Sequence, residues 1–186
     1  FFDTATIWRI ELLFKAYCAV SFNGNYYDVP MITAALSGYT AEQLKWLNDR
    51  IIPPQVSGQP RVQGAKPWEL GLPEWKPADH IDVMEVAPGD GSQKQYAGRI
   101  HCKTMRDLPY EPGHYLTEAE IVEVDTYCEN DLAVLEALFD ALQPMIEQRE
   151  ALGKRYGLDL RSKSDAQVAE AVLKRRCEQA LGQRIY

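Results

Sequence analysis

The chain has 186 residues and a mass of 21.1 kDa, and its 46% hydrophobic and 25% charged residues are typical of a single soluble globular domain. Twenty Lys or Arg stand against 27 Asp or Glu, and the net charge of −7 excludes a generic nucleic-acid coat while leaving room for a local basic groove. No apolar run is long enough for a membrane span, and charges throughout the first seventeen residues argue against a secretory signal peptide.

The cysteines and histidines are too scattered for a zinc site. No C-x-x-C pair occurs, and neither does either of the glycine-rich loops that cradle phosphates. We expect reduced, mostly buried thiols in a cytoplasmic protein. The residues concerned are Cys18, Cys102, Cys128, Cys177, His80, His101 and His114.

The first part of the chain predicts a strand followed by two helices. Residues 18–22 form an apolar, β-prone run, which predicts a buried strand that leads into the loop Asn23-Gly24-Asn25. A helix is predicted from Val29 to Leu36, with Pro30 in its first turn. The capping box Thr40-Ala-Glu-Gln43 predicts the next helix, to about Asp49.

The middle of the chain predicts an irregular stretch and a second strand. Residues 53–79 are rich in proline and glycine and predict an extended, irregular segment. Apolar and acidic residues alternate from Ile81 to Val86, which predicts a half-buried strand. A short amphipathic helix is predicted from Ser92 to about Arg99.

The remainder predicts long helices, and its last part, residues 151–186, has an excess of positive charge. Capping boxes at Thr117 and Ser164 predict helices to about Leu142 and to Leu181, and Pro144 is expected to end or kink the first of them. Residues 151–186 hold eight Lys or Arg against four Asp or Glu. An acidic body with a basic end suits an enzyme acting on phosphodiesters, in which carboxylates bind metals and cations bind the strand.

Two carboxylates stand out by their positions. Asp28 lies between a predicted strand and a predicted helix, where α/β proteins build sites, although it would also serve as a simple helix N-cap. Asp131 follows Tyr127 by four residues, so the two side chains share one face of the long helix. The alternative interpretation of Tyr127 and Asp131 is an ordinary surface pair.

Taken together, Asn23-x-x-x-Tyr27-Asp28 and Tyr127-x-x-x-Asp131 resemble the second and third motifs of the DEDD exonucleases, and the tyrosine indicates the DEDDy branch. Segments such as FNGNYYDVPMI, DHIDVMEV, TYCENDL and SKSDAQVAEAVLK resemble the exonuclease region of phage or prophage family-A-type DNA polymerases. The resemblance runs from about Ala16 to Leu181. It implies an α/β, ribonuclease-H-like fold with a central mixed sheet flanked by helices, in one domain over 1–186 with a basic helical segment at about 158–182.

The first motif of that family, Asp-x-Glu, is matched by Asp3-Thr4-Ala5, in which alanine stands where the family has glutamate. Either an engineered change or natural loss of activity would account for Ala5, and Asp3 would otherwise be a simple terminal residue. The short interval between Asp3 and the strand at Cys18 also predicts that the N-terminal strands of the fold are incomplete.

The resemblance implies a two-metal site with Mg²⁺ or Mn²⁺ held by Asp3, Asp28 and Asp131. Tyr127 would orient the attacking water, and Thr4 and Asn23 would contact the terminal nucleotide, Asn23 alternatively holding the Asp28 loop. The substrate would be the 3′ end of single-stranded DNA, which cations of the last helix would bind. One face of that helix would pack on the rest of the protein through an apolar stripe. The residues are Lys174, Arg175 and Arg176 for the cations, and Val168, Ala169, Val172 and Leu173 for the stripe.

Three functions stay open on the sequence. The first is a 3′–5′ exonuclease, free-standing or beside a polymerase domain, with no membrane partner. The second is a catalytically silent nucleic-acid-binding or scaffolding domain of a phage-type DNA polymerase, disabled by Ala5. The third is a metal-free interaction module.

Overall fold

The computed structural model describes residues 7–55, 58–60, 62–111 and 113–185. The chain forms two compact units, residues 1–82 and 83–186, and the expectation of one domain over 1–186 stays a prediction. The first unit contains α1 (Ile7–Ala16), β1 (Ala19–Ser21), α2 (Asp28–Leu36), α3 (Ala41–Ile51), a 3₁₀ turn (Pro67–Glu69) and β2 (His80–Asp82). The second contains α4 (Val83–Val86), α5 (Gln93–Arg99), α6 (Glu118–Tyr156) and α7 (Asp165–Leu181).

The protein is an α/β protein that is mostly helical, at 57% helix, which confirms the coarse fold class. Within the described ranges the sheet has two strands, and these are parallel. Residues 7–16, ahead of β1, form a helix. None of the helices in these ranges is at once long and apolar enough to cross a membrane. No disulfide joins the four cysteines, all of which the structure describes; Cys102 is partly buried, but Cys18, Cys128 and Cys177 are exposed, contrary to the expectation of mostly buried thiols.

The core of the first unit lies between α2 and α3. Alanines 34 and 35 of α2 pack against two leucines of α3 and against Leu70, which follows the 3₁₀ turn. The start of α3 is fixed by the predicted capping box, since Thr40 Oγ1 accepts the Gln43 N–H at 3.3 Å and the Gln43 side chain accepts the Thr40 N–H at 2.8 Å. These contacts fix α2 against α3 and thereby fix the position of Asp28, the first residue of α2.

The two strands pair in register, with Ala19 opposite His80 and Ser21 opposite Asp82. The strand predicted from Ile81 to Val86 is wrong in its second half, because the chain turns into α4 at Val83. Val83 and Val86 are both buried on this short helix. The apolar–acidic alternation therefore marks a strand end followed by a helical turn, in which residues three apart again share a face.

The second unit is built on α6, a continuous helix of 39 residues. Val134, Leu138, Leu142 and Ile146 recur every four residues and form its buried face, against which α4 and α5 pack. The sequence predicts that Pro144 ends or kinks this helix, and the prediction of an end is wrong, because α6 continues through Pro144 to Tyr156. Proline removes one backbone hydrogen bond, and the apolar contacts of the buried face on both sides offset that loss.

The end of α6 is shaped by glycine. Gly153 is buried, and a Cβ added there would lie 2.5 Å from the carbonyl oxygen of Leu158, which returns over the helix after the left-handed Gly157. The buried Arg149 fastens the same connection, since its guanidinium donates to the Lys163 carbonyl at 2.9 Å and to the Asp165 carboxylate at 2.7 Å. Ser164 then caps α7 as predicted.

We expect Gly153→Ala to lower the free energy of unfolding by about 1–3 kcal/mol, because the new methyl group meets backbone that cannot move away easily. Gly98→Ala is the matched control: it lies in α5 with no atom near the added Cβ, so it should stabilise by up to about 1 kcal/mol through helix propensity. Urea unfolding measures both. Equal stability of the two variants would contradict the packing described for the end of α6.

Candidate functional site

The carboxyl ends of β1 and β2 meet at one edge of the sheet, because the strands are parallel. Loop 22–27 leaves this edge after Ser21 and leads directly to Asp28. Parallel α/β sheets bind ligands at such an edge. We call this region, residues 21–28 with His80 and Asp82, the β1–β2 edge.

A buried carboxylate organises the β1–β2 edge. Asp82 is fully buried, and its two oxygens accept the backbone N–H groups of Asn23, at 2.8 Å, and of Asn25, at 3.0 Å. Removing a carboxylate from water costs several kcal/mol unless hydrogen bonds replace the lost hydration, and charge-assisted bonds of this kind are strong ones. Asp82 therefore fixes the path of the loop that follows β1.

The loop itself turns tightly. Asn23 has a left-handed backbone with φ of 66°, and its carbonyl accepts the N–H groups of Tyr26 and Tyr27 at 3.1 Å. Gly24 is required by space, since a Cβ there would overlap the side chain of Ser21 and approach the ring of His80. This geometry agrees with the loop-holding alternative predicted for Asn23, and its contact with a nucleotide stays a prediction.

Asp28 is the first residue of α2 and is exposed, and Tyr27 occupies the N-cap position, so the simple N-cap interpretation of Asp28 is wrong. Protein atoms crowded around its carboxyl raise the pKa of Asp28, and the charge of Asp82 raises it further. Its own backbone N–H and the nearby His80 act in the opposite direction. A carboxylate whose ionised form is penalised, yet which solvent can reach, is suited to binding a cation.

Two neighbours complete this edge. Ser21 Oγ and His80 Nε2 lie 2.8 Å apart, and burial lowers the pKa of His80 in spite of the surrounding aspartates, which favours the neutral imidazole. The hydroxyl of Tyr27 donates to Asn48 Oδ1 at 2.8 Å and ties the loop to α3. Burial, followed by the charge of Asp28, raises the pKa of Tyr27.

In the second unit, Tyr127 and Asp131 lie one turn apart on the same face of α6, and we call them the α6 pair. Both are half-buried. Burial, and then the neighbouring Asp131 carboxylate, raise the pKa of Tyr127 to about 12, so the phenol keeps its proton at neutral pH. The predicted common face of these two residues is therefore present.

Helix α5 buttresses the α6 pair. Gln93 Nε2 donates to the backbone carbonyl of Asp131 at 2.6 Å, and Lys94 Nζ lies 5.4 Å from the centre of the Tyr127 ring. Lys94 is itself held by the Asp107 carboxylate at 2.9 Å. Tyr127 also lines a cavity of about 220 Å³ together with Arg106 and Asp107. The pair is thus more than an isolated surface contact.

The metal ligands implied by the sequence are distributed over different parts of the chain. Asp28 belongs to the first unit, Asp131 to the second, and Asp3, Thr4 and Ala5 lie outside the described residues. Within the described ranges, no three His, Cys, Asp or Glu side chains form a group able to hold a metal ion. The donor chemistry of Asp28 and Asp131, carboxylate oxygen, is the kind that Mg²⁺ and Mn²⁺ take.

On α7 the three predicted strand-binding cations differ in their surroundings. Lys174 and Arg176 are exposed, whereas Arg175 turns toward the body with its Nη1 3.7 Å from Glu178 Oε2. The predicted apolar stripe is wrong in half its members, since Ala169 and Leu173 are exposed while Val168 and Val172 are half-buried. The inward face is rotated toward Arg175 because that side chain, with its long apolar stem, takes part in the packing.

No protein-family model, curated protein or solved structure matches this chain. The resemblance to the DEDDy exonucleases therefore rests on the short motifs of the sequence.

The sequence alone does not single out four of these site residues: Asp82, His80, Gln93 and Lys94. Asp82 belongs to a run in which apolar and acidic residues alternate, and this pattern predicts that its side chain faces solvent. The signal that would have found it is its place at the last position of a strand, directly opposite the residue from which the Asn-Gly-Asn loop starts. The role of Gln93 and Lys94 depends on the packing of α5 against α6, and no local sequence motif predicts that packing.

We expect Asp82→Asn to lower the free energy of unfolding by about 2–3 kcal/mol, because the amide presents an NH₂ group to one of the two backbone N–H donors. The exposed Asp90→Asn removes the same charge and should change stability by less than about 0.5 kcal/mol. Urea unfolding followed by circular dichroism measures both. A loss for Asp82→Asn no larger than for Asp90→Asn would show that the carboxylate does not hold the loop.

Proposed function

We propose that this chain is a DEDDy-type 3′–5′ exonuclease domain with a ribonuclease-H-like fold, acting on single-stranded DNA ends. The observation that carries the proposal is the α6 pair, in which Asp131 lies one turn after Tyr127 and close enough for its carboxylate to raise the pKa of the phenol. It comes with an exposed carboxylate, Asp28, at the carboxyl edge of a parallel sheet. These are the residue types and the chain order of the second and third motifs of that family.

The carboxylates of Asp28 and Asp131, with Asp3, would hold Mg²⁺ or Mn²⁺. Two divalent ions, when bound, supply an activated water and stabilise the leaving 3′ oxygen of a phosphodiester. This requires Asp28 and Asp131 to come within reach of ions about 4 Å apart. Residue 5 is the position at which the family has a further carboxylate, and Ala5 supplies none.

Tyr127 would act on the attacking water through its hydroxyl. A pKa of about 12 keeps the phenol protonated at neutral pH, so its oxygen carries lone pairs that would accept a hydrogen bond from the water. The water oxygen would then direct a lone pair away from the phenol, toward the phosphorus of the terminal nucleotide.

The alternative is a catalytically silent nucleic-acid-binding or scaffolding domain of a phage-type DNA polymerase. Ala5 favours it, since the missing carboxylate removes one ligand position. The basic segment favours it equally, because strand binding needs cations and no metal.

We expect the Ala5→Glu chain to release mononucleotides from the 3′ end of a labelled single-stranded oligonucleotide in Mn²⁺, and Asp131→Asn in that background to abolish the release. Tyr127→Phe should lower the rate by at most about a hundredfold, since it removes an orienting hydroxyl and no ligand. Asp140→Asn is the matched control, being exposed on the same helix, and should leave the rate unchanged.

Two outcomes would decide against parts of this account. If the Ala5→Glu chain binds the oligonucleotide but releases no nucleotide, the silent binding domain is the correct function. If Asp131→Asn and Asp140→Asn behave alike, the α6 pair is not catalytic.

A further inference from the structure

The segment after α7 folds back along the helix. Gly182 has a left-handed backbone with φ of 66°, which reverses the chain, and the Ile185 N–H donates to Glu178 Oε1 at 3.2 Å. This brings Arg184 next to Lys174 and Arg175, and the three line one groove of about 380 Å³ in the second unit. Arg176, the neighbour of Arg175 in sequence, does not line it.

The polar groups of this groove are arranged for an anion. Three cations and one carboxylate line it, and that carboxylate, Glu178, already accepts the Ile185 N–H. Glu178 lies 3.7 Å from Arg175 Nη1, too far for a good hydrogen bond. Arg175 Nε is buried and has no hydrogen-bond partner among the residues that the structure describes. An acceptor oxygen entering the groove would satisfy that donor, and a guanidinium matches phosphate geometry.

The floor of the groove is apolar. Leu158, Ala171 and Ile185 line it and are each half-buried. The basic rim supplies cations for the phosphates of a single-stranded nucleic acid, and the apolar floor offers a surface that its bases can contact.

The groove lies at the far end of α6 from the α6 pair. From Asp131 to Tyr156 the helix rises about 38 Å, at 1.5 Å per residue, and Leu158 of the groove follows directly. At about 3.4 Å per nucleotide, a stacked strand covers that length with about eleven nucleotides. One strand would therefore touch both places only if it were long.

We propose that the groove between α7 and residues 182–185 binds the phosphate backbone of single-stranded DNA, remote from the 3′ end. Binding in the groove does not rest on the proposed function, whereas the assignment of the strand end to the α6 pair does. With the strand end held at the α6 pair, the groove contributes affinity for long strands and none for short ones. Arg184, which the sequence alone did not single out, and Arg175 are its main phosphate ligands.

The test measures fluorescence anisotropy of labelled oligo(dT), of about 20 and about 5 nucleotides, with the full chain in EDTA, so that no catalysis is needed. Arg184→Gln should weaken binding of the long oligonucleotide severalfold and make the slope of log affinity against log salt shallower by about 0.7. The short oligonucleotide should be unaffected. Arg176→Gln is the matched control, an equal charge change on an exposed arginine outside the groove, and should have less than half the effect.

Each other result overturns the proposal. Equal effects of Arg184→Gln and Arg176→Gln would mean general charge attraction without a groove. Equal effects on long and short oligonucleotides would place the contact at the strand end. Competition by oligoglutamate as strong as by oligo(dT) would make the ligand an acidic protein, and competition by millimolar inorganic phosphate would make it a free phosphate.

The outcome is separable from that of the exonuclease assay. If the Ala5→Glu chain is inactive in Mn²⁺ but Arg184→Gln weakens binding of the long oligonucleotide, the groove proposal holds and the exonuclease proposal fails. If the chain is active and Arg184→Gln leaves that binding unchanged, the exonuclease proposal holds and the groove proposal fails.

Discussion

The hydrogen bonds from the backbone of Asn23 and Asn25 to the buried carboxylate of Asp82 join the end of β1 to the end of β2. Each strand has only three residues, and a two-stranded sheet of that length is marginal by itself. A desolvated charge that is satisfied only in one arrangement makes that arrangement specific, because any other leaves the carboxylate unpaired. This contact fixes the tight loop and thereby the position of Asp28 at the start of α2. Gly24 is required where the same loop passes close to Ser21 and His80.

In the second unit, the long helix α6 positions the candidate site residues. The buried face of α6 orients the helix, α5 packs against it, and Gln93 and Lys94 of α5 then contact the α6 pair. At the other end, Gly153 and Arg149 hold the connection to α7. A rigid helix thus sets the spacing between a candidate catalytic pair and a basic groove.

Local rules predict where the capped helices begin, miss α1 and α4, and identify the candidate site only in part. Thr40, Thr117 and Ser164 each cap a helix where the capping boxes indicate, because a capping box is satisfied within four residues. Asp28, Tyr127 and Asp131 are predicted from two short motifs and from the family that these motifs resemble, and their shared role stays a prediction. What the sequence could not predict depends on partners distant in the chain: the burial of Asp82 beside Asn23, the packing that carries α6 past Pro144, and the fold-back that brings Arg184 to Arg175.

The proposed function requires Asp28, in the first unit of the chain, and Asp131, in the second, to bind the same metal ions. Titration calorimetry of Mn²⁺ into the Ala5→Glu chain tests it directly, beside Asp28→Asn and Asp131→Asn variants in the same background. The account predicts specific binding that either substitution alone abolishes or weakens by at least about tenfold, since each carboxylate is a ligand. Mn²⁺ binding that survives both substitutions, or that is absent from the Ala5→Glu chain, would contradict it.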